Sequence, residues 1–142
     1  TSSAIRLRHT PSGLIVIAEE SRSQHENKAK AVRRLRKALY LELRDAIPPE
    51  QSAALAESPA IAAAKGRDGR IRLGGRDPRF WPLVGIVLDL FVAFEAQVAE
   101  TAKALGISTG NLIDLLQTDP KLWQQVNVLR SRFGRKPLHT SS

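Results

Sequence analysis

An α+β fold is predicted for this chain: a β-hairpin packed on one long basic amphipathic helix, then a linker and a small all-α bundle. Three observations carry that reading. Apolar and basic residues alternate over Ile5 to Arg8, a 3.6-residue period with a cationic opposite face follows, and a dense apolar run returns from Leu83 to Phe94. The 142 residues suffice for one ordinary domain or two small ones, and a hydrophobic fraction of 42% is normal for a chain with a core.

The elements follow in order. Ile5 and Leu7 alternate with Arg6 and Arg8, giving one apolar face and one basic face. Thr10-Pro11-Ser12-Gly13 is turn chemistry, with Pro fixing φ and Gly tolerating positive φ. Leu14 to Ala18 is a largely β-branched apolar run, expected for a strand covered on both sides. Ser23 followed three residues later by Glu26 forms a capping box, so a helix should open near Gln24. Along it Val32, Leu35, Leu39, Leu43 and Ala46 fall on one stripe, with Lys30, Arg33, Arg34, Lys37 and Arg44 opposite, until Pro48-Pro49 ends it.

Residues 48–76, rich in Ala, Gly, Pro and Arg, read as a mobile linker with room for a short helix near Gln51 to Ala56 but little core material. Asp77-Pro78 and Asp119-Pro120 are matching helix starts, Asp as N-cap and Pro first, with Trp81 and Trp123 expected as core anchors. Leu83 to Ala104 can form one helix at the buried centre of a bundle. Ala102, Gly106, Ile107, Leu112 and Leu115 have the spacing of a helix-turn-helix, a last helix spans about 120–133, and the basic tail should be disordered at its tip. The resulting divisions are 1–47, 48–76 and 77–142.

Charge narrows the function. The formal net charge is +8 and the sequence pI about 10.6, which favours a polyanionic partner, nucleic acid first. Residues 1–45 hold ten basic and five acidic side chains, so the attraction belongs mainly to the hairpin and its helix. Cysteine is absent, and His9, His25 and His139 lack ligand spacing; no metal site and no cofactor are expected. No membrane span is expected either, because the longest apolar run is short and carries Asp89. Ser23 and His25 stand two apart at a helix start and point to different sides, so no nucleophile–base pair arises. The absence of methionine, even at position 1, leads us to expect that Thr1 is not a natural start.

Several motifs agree in order and spacing with one known family. Ser3-Ala4-Ile5-Arg6-Leu7, His9-Thr10-Pro11-Ser12-Gly13, Arg22-Ser23-Gln24 and Asn27-Lys28 resemble the second half of the catalytic domain of class I peptide chain release factors and their ribosome-rescue relatives. That resemblance implies translation termination or ribosome rescue in the cytoplasm, with the ribosome, through rRNA and peptidyl-tRNA, as partner. The family's Gly-Gly-Gln loop, which helps set water against the ester joining peptide to tRNA, has no counterpart here. Gly74-Gly75-Arg76 lacks the Gln and lies after the hairpin. No catalytic residue is therefore assigned, and the chain as it stands is expected to be inactive.

Charge and resemblance together nominate Arg6, Arg8, Arg22, Gln24, Asn27, Lys28, Lys30, Arg33, Arg34, Lys37 and Arg44 as RNA-binding residues, through phosphates and not base edges. The alternative is a non-enzymatic nucleic-acid-binding module, a transcription regulator built on the helix-turn-helix. Its second helix would offer Thr109, Asn111, Asp114 and Gln117 without one cation, so DNA is not the expected partner; the bundle could instead meet a protein.

Overall fold

The computed structural model describes residues 3–139 and divides into two compact units, Thr1–Leu43 and Arg44–Ser142. The α+β class is as expected.

In the first unit β1 (Ile5–Arg8) and β2 (Ile15–Ala18) pair antiparallel, Ile5 opposite Ala18 and Leu7 opposite Val16. The turn is built by the His9-to-Gly13 motif itself. His9 donates its N–H to the Leu14 carbonyl at 2.8 Å, and Gly13, at φ +76°, donates to the His9 carbonyl at 2.7 Å. The His9 ring nitrogen Nδ1 meets the Ser12 hydroxyl at 2.7 Å, and the same hydroxyl accepts from the Leu14 N–H at 3.2 Å. His9 is a turn residue.

Helix α1 (Gln24–Glu42) packs on both strands. Ser23 caps it, accepting from the Glu26 N–H at 3.2 Å. The return half of the expected capping box is relayed: the Ser21 hydroxyl donates to the Glu26 carboxylate and accepts from the Ser23 N–H. The buried line runs through Asn27 and Ala31, with Leu35, Ala38 and Leu39 half-buried. Val32, one residue past Ala31 and thus 100° around the wheel, is 42% exposed, and Leu43 lies beyond the last helical residue at 47%. The predicted stripe was rotated; Asn27, a polar residue, sets the true inward face. The strand prediction also needs correction. Since α1 covers one face of the hairpin, Ile15 and Ile17 remain exposed on the other.

α1 stops six residues before the prolines. In a continuing helix the Asp45 N–H would bond back to Leu41; it donates instead to the Asp89 carboxylate at 3.1 Å.

The second unit opens on that bond. The expected linker is a folded part of it: a 3-10 turn (Pro49–Gln51), α2 (Ser52–Ala56) and α3 (Pro59–Ala64) bury Ala56, Ile61 and Ala64. An extended stretch then makes a bridge between Lys65 and Ile71 and buries Ile71 and Leu73. The short helix expected near 51–56 is present as α2, whereas α3 and the buried Ile71 and Leu73 carried too weak a period to be recognised; the small side chains of α2 and α3 allow close packing on α4.

α4 (Phe80–Ala93), α5 (Val98–Leu105), α6 (Thr109–Leu116) and α7 (Pro120–Arg132) complete the unit. Asp119 caps α7 as expected, accepting from the N–H groups of Lys121 and Leu122. Asp77 instead organises a turn, and α4 begins at Phe80, placing Pro82 in the first turn where no N–H is needed. Phe80 and Leu122 are fully buried, whereas the tryptophans after them are half-buried, so the anchors sit one residue before those predicted. The anticipated single helix over 83–104 is broken after Ala93. Glu95 and Ala96 adopt left-handed backbone at φ 56° and 60°. Glu95 N–H bonds to the Val92 carbonyl and Ala96 N–H to the Phe91 carbonyl, a Schellman ending with glutamate where glycine is usual. α5 ends the same way on Gly106, φ +71°, and α7 on Gly134, φ +70°. Arg130 and Arg135 donate to the Ala96 and Glu95 carbonyls, holding the strained turn. The tail through His139 is also tied down, as Asn127 exchanges two hydrogen bonds with Leu138; the tip expected to be disordered lies outside the described residues.

The Glu95 geometry makes a measurable prediction. Glu95→Gly removes the left-handed penalty of a β-carbon and should stabilise the protein by about 1 kcal/mol in urea unfolding.

Candidate nucleic-acid interface

The matching motif residues and most of the nominated RNA-binding residues lie in the first unit, and Asn27 is what holds them in place. It is 0% exposed. Its Oδ1 accepts from the Ser21 N–H at 3.0 Å, while Nδ2 donates to the Ser3 carbonyl at 2.8 Å and the Ser21 carbonyl at 2.9 Å. Ser3 adds a bond from its own hydroxyl to the Ser21 carbonyl at 2.8 Å. One amide therefore binds the start of β1, the loop after β2 and the first turn of α1. Both amide protons are committed and the side chain has no exposed surface, so Asn27 is a structural residue that an RNA could not reach.

Arg34 is also committed. Nη1 donates to the Ile17 carbonyl at 2.7 Å, and the other arm pairs with the Glu20 carboxylate. In this register the Ile17 carbonyl points away from β1, so the guanidinium lies along the outer edge of β2. The hydrogen bond from Arg34 holds the Glu20 carboxyl well below the usual carboxylate range, at about 2.

Arg44 belongs to the second unit. Its guanidinium bonds the Gly85 carbonyl at 3.1 Å and pairs with Asp89 at 3.2 Å, both side chains nearly enclosed. Burial lowers the Arg44 pKa and raises that of Asp89, and in each case it outweighs the attraction between them. The pair ties the start of the second unit to α4, so the Arg44 charge is spent inside that unit. These three corrections share a cause: a helical wheel sorts residues by angle and cannot see hydrogen-bond partners supplied from other elements.

The remaining residues form a wet cationic surface. Arg6, Arg8, Arg22, Gln24, Lys28 and Arg33 are exposed, and Lys30 and Lys37 are half-buried. Arg36, absent from the sequence-based set, is exposed on the same helix. Spacing could have revealed it: Lys28, Val32 and Arg36 are four apart and stack along one side of α1. On the outer hairpin face Arg6 stands opposite Ile17 and Arg8 opposite Ile15. Among the described residues the side chains of Arg6, Arg8, Arg22, Lys28, Arg33 and Arg36 have no hydrogen-bond or ion-pair partner, so their charge is available.

The second unit offers less. Asn111, which a DNA-reading helix would present, is buried and clasps the Ile71 backbone through two bonds of 2.8 Å. Asp114 lies 3.6 Å from Arg70. Gly74 and Gly75 sit in an exposed turn. Among the described residues no three His, Asp or Glu side chains gather as a metal site, and no helix is long and apolar enough to cross a membrane.

Comparison with known proteins agrees with this placement. The RF-1 domain family matches residues 1–79. Peptide chain release factor 1 of Erythrobacter litoralis is 43% identical over 72 residues, 51% of this chain and 19% of that protein. The proteins of the same name from Novosphingobium aromaticivorans and Acidiphilium cryptum are 44% identical over 72 residues and 45% over 79, covering 20% and 19% of their lengths. The chain thus spans about a fifth of the length of the curated relatives it matches. No solved structure matches it significantly. The matched stretch reaches past α1 through the region expected to be a linker.

Two predictions follow from the site. Asn27→Ala leaves the Ser21 N–H without its acceptor and should cost about 3 kcal/mol in chemical unfolding, with Arg33 and Arg36 still exposed. The Glu20 carboxyl should titrate near 2 by NMR and return toward 4.5 in Arg34→Ala. Because its folded value is the lower one, the pair's contribution to stability is full above 4.5 and fades as pH falls toward 2.

Proposed function

The chain belongs to the RF-1 domain family, and on that premise we propose that it works on the ribosome in translation termination or ribosome rescue, within the cytoplasm. The first unit is a docking element for rRNA and peptidyl-tRNA, in a protein that promotes hydrolysis of the peptidyl-tRNA ester. The hydrolytic step itself needs the Gly-Gly-Gln loop, which this sequence does not contain; the chain contributes grip and placement.

One observation carries the reading. Within the span that matches the family, six exposed arginines and lysines on the hairpin, its following loop and α1 have no hydrogen-bond or ion-pair partner among the described residues. Arg34 and Arg44, by contrast, are committed to partners within the chain. Exposed cations without carboxylate partners suit phosphate contacts that position without reading sequence. A DNA-reading role for α5 and α6 loses support, since Asn111 is spent on Ile71 and the helix brings no cation. Residues 1–47 are proposed as the partial catalytic domain and 77–142 as a C-terminal helical bundle with a protein partner, with 48–76 as the stretch that joins them.

Arg33→Glu with Arg36→Glu should weaken co-sedimentation with the large ribosomal subunit about tenfold at low salt, with a shallower dependence on salt than the unaltered protein. The circular dichroism spectrum should be unchanged because both side chains are exposed. Undiminished association across the salt series would remove the basis for docking through α1.

A further inference from the structure

We propose that the groove between β1 and the opening turns of α1 seats one nucleotide of single-stranded RNA. The proposal rests on the RNA-docking reading above and gives it a specific site. The groove has a volume of about 530 Å³ and is lined by Ile5, Arg6, Leu7, Gln24, His25 and Lys28. That lies within the range of small-ligand sites: room for a nucleotide, and far too little for a duplex.

The lining is sorted chemically. Ile5 and Leu7 are half-buried and form an apolar floor on which a base or ribose can lie. Arg6, from the strand, and Lys28, from the helix, both border the groove, and neither has a partner among the described residues. Two cations without a carboxylate partner suit the phosphate of the seated nucleotide. Gln24 offers donor and acceptor on one amide, as a base edge or a 2′-hydroxyl requires, and the His25 ring adds a flat surface for stacking. No carboxylate lines the groove; the nearest in sequence, Glu26, is turned to the Ser21 hydroxyl.

The site is also built in advance. Asn27 bonds the Ser3 carbonyl immediately before β1 and lies in the first turn of α1. The two walls are therefore pinned together at one end, and ordering them costs little on binding. A single strand with a splayed base fits this shape better than duplex RNA, whose bases are stacked inward.

The test is fluorescence anisotropy on the full chain with a labelled adenylate hexamer and with a blunt RNA duplex, in a salt series. Arg6→Ala with Lys28→Ala should weaken hexamer binding at least tenfold and lower the salt slope by about 0.7, the one phosphate that the two cations share. Gln24→Ala should weaken it with the slope unchanged. Arg33→Ala with Arg36→Ala should weaken the duplex more than the hexamer. Unchanged hexamer affinity and slope in the Arg6/Lys28 variant, alongside loss of duplex binding in the Arg33/Arg36 variant, would overturn the groove and leave RNA docking by α1 intact. Failure of the unaltered chain to bind either RNA would remove both. Displacement of the hexamer by a polyglutamate peptide as readily as by unlabelled hexamer would assign the groove to protein and overturn the proposal.

Discussion

The first unit depends on one buried amide. A two-stranded hairpin is barely stable alone in water and needs another element against it. α1 supplies that cover, but apolar packing through Ala31 and a few half-buried leucines leaves the helix free to roll. Asn27 removes that freedom. Its acceptor faces the Ser21 N–H and its donors face two carbonyls, so neither an aspartate nor an alanine can replace it. With the roll of the helix set, the directions of Lys28, Arg33 and Arg36 are set as well. The distribution of surface charge is a downstream effect of a hydrogen bond in the interior.

The legible parts of the sequence were those with local causes. Ser23 and Asp119 as caps, the His9-to-Gly13 turn and the alternation in β1 each need only a few neighbouring residues, and each stands as read. The errors lie where distant residues decide. Asn27, Arg34 and Arg44 all look like surface polar groups until Ser3, Ile17 and Asp89 are brought to them. The helix break at Glu95 escaped notice for a different reason. A Schellman ending announces itself through glycine, and here arginines from α7 and the tail support the same backbone without one. The supposed linker hid its core because Ile61, Ile71 and Leu73 are single apolar residues among alanines, glycines and arginines.

Arginine does two kinds of work in this chain. Arg34, Arg44 and Arg130 each spend their guanidinium on a backbone carbonyl: Arg34 at the outer edge of β2, Arg44 on Gly85 within α4, and Arg130 at the strained Ala96 turn. Arg6, Arg8, Arg22, Arg33 and Arg36 remain in water. The net charge of +8 overstates the cationic groups a partner would meet, and the true count is a matter of which carbonyls need sealing.

The Arg34 arm across β2 also governs how copies of the chain can join. The sheet has two strands, and one of its two borders carries a guanidinium and a carboxylate where a neighbour's backbone would have to bond. A strand added along β2 would first have to displace that arm and give up its ion pair, so the side chain that fixes the helix against the hairpin also guards the open margin of the sheet.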